Sequence, residues 1–293
     1  MSSMDDGITN EKTYGIDHFL LRCAALLSLT CYVIAFSGIV TNSVLMYVLG
    51  CIGYASLPLF ALLSMEAYRH AAKLSTLLIR NIIYAVLCAF PYRYAFYSQR
   101  SLADIRSYFS LALTCFLCIG SLMFYDRMKT RFQRVFCIAF LCAASLLIGM
   151  EFAPYMPILA FAMFIYLREQ EGKDAKAIEN GDNERIEAIG RRRYLFSKYT
   201  FTKVAFIVVT LSVVIFVVSL FFGRSESYRN SFPDELKRNY CMPGMLLALP
   251  FIRFYNGKEG FNNKVIKVFL RLFYILLLIS VVLIKLFFLY DYA

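Results

Sequence analysis

Charge is scarce in this chain: of 293 residues only 17% are Asp, Glu, Lys or Arg, while 60% are hydrophobic. Soluble globular domains carry roughly 25% charged and 45 to 50% apolar residues, so the excess is too large for a soluble core. Histidine is scarcer still, with two residues. Cys115 and Cys118 form a CxxC on an apolar stretch with no histidine nearby, which points to packing rather than to metal or redox use. The nine cysteines are scattered almost wholly through apolar runs, where they act as small apolar residues and not as a disulfide framework; only Cys241 lies near a polar boundary. There is no P-loop, no dinucleotide-binding glycine fingerprint, no serine elbow and no evident internal repeat, which removes the common soluble enzyme classes. The amino-terminal "MSSMDDGITNEKTYGIDH" lacks the basic n-region of a cleaved secretory signal.

In place of polar surface the chain has long apolar runs. About 18 to 20 such residues are needed to cross a hydrocarbon core, and nine segments qualify or come close: 19–37, 43–65, 76–97, 107–125, 134–151, 152–167, 203–223, 241–254 and 265–288. The expected fold is therefore an all-α, polytopic membrane bundle of eight or nine helices. The sixth and eighth segments are short and carry Pro154 and Pro157, and Pro243 and Pro250; broken or re-entrant helices are expected there, tolerated where protein buries the loosened backbone. Residues 1–18 read as a polar tail and 19–293 as the transmembrane domain.

The formal charge of +11 does not point to nucleic acid, because the Lys and Arg residues lie in loops between spans rather than on one soluble face. One compartment collects most of them: the amino terminus, "RHAAK", "YDRMKTRFQR", residues 168–202 and "IRFYNGKEGFNNK". By the positive-inside rule that compartment is the cytoplasm. Residues 168–202 are polar and of mixed charge, with Gly172, Gly181 and Gly190 spaced through them, and read as a mobile cytoplasmic loop. Their "RRR" at 191–193 serves either as a topology anchor or as a contact for anionic lipid.

Polar groups inside spans are functional candidates by default. Here they are Arg80, Asn81, Arg93, Glu151 and Lys285; Arg22 and Lys285, near span ends, are able to snorkel to the interface. The stretch "YASLPLFALLSMEAYRHAAK", residues 54–73, ends in Glu66, Arg69, His70 and Lys73. Their spacing puts them on one helical face. An imidazole held by Glu66 suits a general base near neutral pH, and the same spacing fits a solvated helix end equally well.

Taken further, "IGYASLPLFALLSMEAYRHAAKLSTLLIRNIIYAVLCAFPY" resembles the signature of the TraX family of integral-membrane pilin acetylases, approximately "gRlaFPlFaFlaeGfrhTrn" followed by "iPFDlaf". Pro58, Phe60, Glu66, Arg69, His70 and Pro91 fall on its characteristic positions. A second block, "LPFIRFYNGKEG", is similar to the family's "plllYNGkrG", with Tyr255, Asn256, Gly257 and Gly260 in register. Weaker echoes put Glu151 where the family has aspartate. The departures are specific. Tyr32 and Val33 stand where the family carries an Asp-His pair, Arg93 replaces the aspartate of "iPFDlaf", and the closing "FYPxHL" is apolar here. Asp17 and His18 lie about a dozen residues too early to fill the missing pair.

The resemblance implies an acyltransferase, either active or degenerate, that moves an acetyl group from acetyl-CoA to a pilin-like or other amine acceptor at a bacterial inner membrane, without a metal. It implies His70 as base, Glu66 as its orienter, and Arg69 or Arg93 as charge stabiliser. Arg127, Lys129 and Arg131 are candidates for the donor's phosphates, and the "YNGKEG" turn with Asn256, Gly257 and Lys258 for an anion. The alternative is a non-enzymatic membrane protein, a small permease or an assembly partner.

Overall fold

The computed structural model of the chain describes residues 15–97, 108–148, 150–190, 194–224, 233–261 and 263–289; the tail before residue 15 and the "RRR" at 191–193 lie outside them. The regular structure among the described residues is helical, with one isolated bridge between Ile16 and Tyr255. In chain order the helices are α1 (His18–Phe36), α2 (Ser43–Tyr54), α3 (Ser56–Arg69), α4 (Leu74–Tyr97), α5 (Leu111–Arg127), α6 (Arg131–Ile148), α7 (Tyr155–Glu179), α8 (Asn183–Gly190), α9 (Lys198–Phe222), α10 (Pro233–Tyr240), α11 (Leu249–Phe254) and α12 (Lys264–Ile284). Four helix starts carry side-chain caps. Asp17 accepts from the Leu20 N–H, Asn42 from Val44 and Leu45, Ser197 from Thr200, and Asn263 from Val265, each satisfying an amide with no partner inside the helix.

Among the described residues five helical stretches are long and apolar enough to cross a membrane: His18–Phe36, Ser43–Arg69 (α2 and α3 together), Leu74–Tyr97, Lys198–Phe222 and Val265–Phe287. Their outward faces are greasy, with Ile83, Phe206 and Phe269 more than half exposed, as lipid contact requires and water would penalise. The remaining expected spans are helical but short in apolar length, as in Phe132–Ser145 and Met242–Phe254. The last of these is broken as expected, a 3₁₀ segment over Met242–Ala248 running into α11, with Pro243 and Pro250 at the two starts.

Two expectations are corrected. The sixth span is not broken: α7 runs for 25 residues, and Pro157 lies in its first turn, where the missing N–H has no intrahelical acceptor to lose. Nor is 168–202 a loop. Residues 168–179 continue α7, 183–190 form α8, and 198–202 open α9. The polar half of α7 is stabilised by a Glu169–Lys173 pair at i,i+4, and Lys203 of α9 reaches the same carboxylate at 2.9 Å. Lys173 first, then Lys203, hold the Glu169 carboxyl below its usual range. Buried Gln170 ties the two helices, donating to the Leu195 carbonyl (3.1 Å) and accepting from the Ser197 N–H (2.8 Å). The helix stops at Asn180 and Gly181, whose φ of +67° is the left-handed conformation that ends helices.

Small residues allow the tightest approaches. A Cβ on Gly53 would lie 2.6 Å from the Tyr32 backbone, and one on Gly244 would lie 1.8 Å from the Cys51 carbonyl oxygen. The 3₁₀ segment thus lies directly on α2, and Cys241, expected at a polar boundary, is instead fully buried there. Backbone cannot give way as a side chain can. Gly244→Ala is therefore expected to destabilise the protein by about 1 to 3 kcal/mol, read as a lower melting temperature in detergent; an unchanged midpoint would contradict this packing.

Candidate functional site

Glu66 sits near the end of α3 and is only 2% exposed. A carboxylate so buried has to be paired, and three side chains meet it. Arg69, one turn on, contacts Oε1 at 2.8 Å and also pairs with Glu171 of α7. His70, the capping residue of α3, places Nε2 3.3 Å from Oε2. The Tyr255 hydroxyl donates to the same Oε2 at 3.2 Å and lies 3.4 Å from Nδ1 of His18. Both histidines of the chain thus meet at one carboxylate, His70 directly and His18 through the Tyr255 phenol. Burial, and then the charge of Glu66, push the Tyr255 hydroxyl well above its usual range, so it stays protonated and donates.

Residues 15–18 hold this arrangement by running alongside 254–258. The Ile16 N–H donates to the Phe254 carbonyl (2.8 Å), the Asn256 N–H to Ile16 (3.0 Å), and the His18 N–H to Lys258 (2.8 Å). Gly257 and Gly260 take φ of +75° and +70°, and a Cβ on Gly260 would lie 2.3 Å from the Asp17 carboxyl. The glycines of "YNGKEG" therefore let the turn close on the start of α1.

The expected site residues divide. Glu66, Arg69 and His70 are together. Asn256 is adjacent in chain, but its amide oxygen accepts from the Lys258 N–H at 2.9 Å, closing its own turn; the residue that reaches Glu66 is Tyr255. Lys258 is exposed. Arg127 and Lys129 line a surface hollow of about 560 Å³ with Thr130 and Gln133. That hollow lies at the same end of the bundle, since the Tyr68 hydroxyl of α3 donates to Asp126 of α5 at 3.0 Å. Arg131 opens α6, with its side chain outside the described set. Arg93 is not brought to Glu66. It lies 19 residues into α4, or about 28 Å along the axis, buried with its guanidinium 5.5 Å from the Tyr94 and Tyr108 ring centroids.

A second buried cluster occupies the far part of the bundle. Glu151, 6% exposed, accepts from the Tyr32 hydroxyl and pairs with Arg238 of α10 at 3.3 Å. Thr114 donates to the Glu151 carbonyl at 2.7 Å. Arg238 lies over the Phe36, Phe96 and Tyr97 rings at 5.7 to 6.0 Å, where ring faces partly offset the lost hydration. Tyr32 also packs edge-on against Tyr54 and Phe152. His18 and Tyr32 are 14 residues apart on α1, so the two clusters are about 20 Å apart along its axis.

His18, Tyr255 and Arg238 were not legible as site residues. Sequence pattern places His18 at a helix start and Tyr255 in a turn, and Arg238 lies between apolar runs. The signal for His18 was its rarity. Compared with known proteins, the chain matches no family model, no curated protein and no solved structure.

Proposed function

We propose that the protein is a membrane-embedded acyltransferase of the TraX type, built on eight or nine membrane segments, that transfers an acetyl group from acetyl-CoA at the end of the bundle where Glu66, His70, His18 and Tyr255 meet. The observation that supports this reading is the convergence of a buried carboxylate and both imidazoles at one end of the bundle, the end that also carries the hollow lined by Arg127 and Lys129. A permease reading asks for buried charges along a through-going path; here Glu66 and Glu151, the two buried carboxylates among the described residues, are paired in two separate clusters about 20 Å apart.

In this reading Glu66 fixes His70 through Nε2 and stabilises the imidazolium, and the other ring nitrogen takes the proton from an acceptor amine. The amine nitrogen attacks the thioester carbon, the C–S bond breaks, and the departing thiolate recovers the proton from His70. Arg69 is already shared by two carboxylates and serves to position Glu66. Lys258, exposed on the adjoining turn, is left to face the developing negative oxygen. Arg127 and Lys129 receive the donor's phosphates. His18 and Tyr255 position the base.

This end of the bundle faces the cytoplasm in this reading, since the Lys and Arg excess lies on its side. A cysteine placed at position 180, with native thiols blocked, is expected to resist an impermeant reagent in intact cells and to react after permeabilisation. Labelling in intact cells would reverse the orientation. Calorimetry on purified protein is expected to register acetyl-CoA binding that weakens when Arg127 and Lys129 are both changed to Gln; no heat from the unaltered protein would count against the donor assignment.

A further inference from the structure

Between α1, α3, α4, α5 and α12 lies a cavity of about 400 Å³, apart from the Glu66 cluster and unused by the reaction above. Its size is within the roughly 300 to 1,000 Å³ of small-molecule sites. Exposed Leu272 and buried Leu29 and Ala112 all line it, so it extends from the protein surface to the core. The lining is largely apolar, yet it includes three arginines: half-buried Arg22 and exposed Arg80 and Arg271. Among the described residues no carboxylate lines the space. None of the three arginines has an ion pair among the described residues, and each of Arg22 and Arg80 lies in the positive field of Arg271. Glu259, whose field reaches Arg22, is engaged by Lys267 at 3.3 Å.

One arginine near a helix end is accounted for by snorkelling. Three lining one largely apolar cavity concentrate positive charge there, which favours a shared anion. Depth indicates what carries that anion. Arg22, Arg80 and Arg271 lie 4, 6 and 7 residues into helices starting at His18, Leu74 and Lys264, or about 6 to 10 Å from the helix ends; with those ends at the membrane surface, that is the level of the boundary between headgroups and acyl chains.

We propose that this cavity is a binding site for an anionic phospholipid, its phosphate held among Arg22, Arg80 and Arg271 and one acyl chain laid along the Leu29 and Ala112 wall. The site is independent of the acyl-transfer reading. Native mass spectrometry of protein purified in neutral detergent tests it, with phosphatidylglycerol, phosphatidylcholine and inorganic phosphate as probes. Phosphatidylglycerol is expected to bind at least tenfold more tightly than phosphatidylcholine, and to lose at least tenfold in affinity in the Arg80→Gln/Arg271→Gln double variant. Ala112→Leu, which fills the cavity and keeps every charge, is expected to weaken lipid binding to a similar degree, and carries the test if the double variant fails to fold. Lys285→Gln, away from the cavity, is expected to bind like the unaltered protein. Equal binding of the two lipids, unchanged binding in Ala112→Leu or in a folded double variant, or inorganic phosphate competing as effectively as the lipid at equal concentration would each overturn the proposal.

Discussion

Replacing His70 by alanine is expected to lower the rate of acetyl transfer by about 10² to 10⁴, the usual contribution of a positioned general base. Glu66→Gln is expected to approach the same loss. The neutral amide still accepts a hydrogen bond, but it no longer stabilises the imidazolium and no longer balances Arg69, which contacts Oε1 at 2.8 Å. Tyr255→Phe keeps the ring and removes only the donor to Oε2, so a smaller loss is expected, with the acceptor's KM little changed. Rates from single-turnover transfer of labelled acetyl groups separate these outcomes. Full activity in His70→Ala would remove the base, and with it the site.

The second large effect concerns stability. Glu151→Ala is expected to cost about 3 to 5 kcal/mol, the price of removing one partner from a buried ion pair. The Arg238 guanidinium, 18% exposed, loses the carboxylate 3.3 Å away, and the Tyr32 hydroxyl loses its acceptor in a ring-lined interior. Glu151→Leu combined with Arg238→Met and Tyr32→Phe is expected to recover most of that loss, because an apolar set of similar volume needs neither counter-ion nor hydrogen-bond acceptor. Unfolding in a denaturing-detergent titration reads both. A single variant as stable as the unaltered protein would mean that the pair is not formed. Catalysis at the Glu66 cluster, about 20 Å away along α1, is expected to persist in any variant that still folds.

Much of the bundle was legible because apolar length is a direct physical requirement, and every run read as a span contains helix. The errors have one cause. A search for apolar length passes over polar helices, so the charged half of α7, held by Glu169, Lys173 and Gln170, read as a loop. Pro157 looked like a break because its place in the first turn depends on where the helix begins, which hydropathy does not fix. The site was half legible. Glu66, Arg69 and His70 share a helical face, and local periodicity reports local neighbours. His18 and Tyr255 join them only because residues 15–18 run beside 254–258, a pairing 237 residues apart in sequence that no local pattern encodes. The same holds for Tyr32, Glu151 and Arg238.

Transfer of labelled acetyl groups in sealed membrane vesicles of known orientation tests the central claim most directly. With acetyl-CoA supplied outside, vesicles exposing residue 180 are expected to acetylate an amine acceptor, and vesicles of the opposite orientation are not, with His70→Ala nearly inactive in both. Equal incorporation by unaltered protein and His70→Ala, or none from either orientation with any amine offered, would contradict the account.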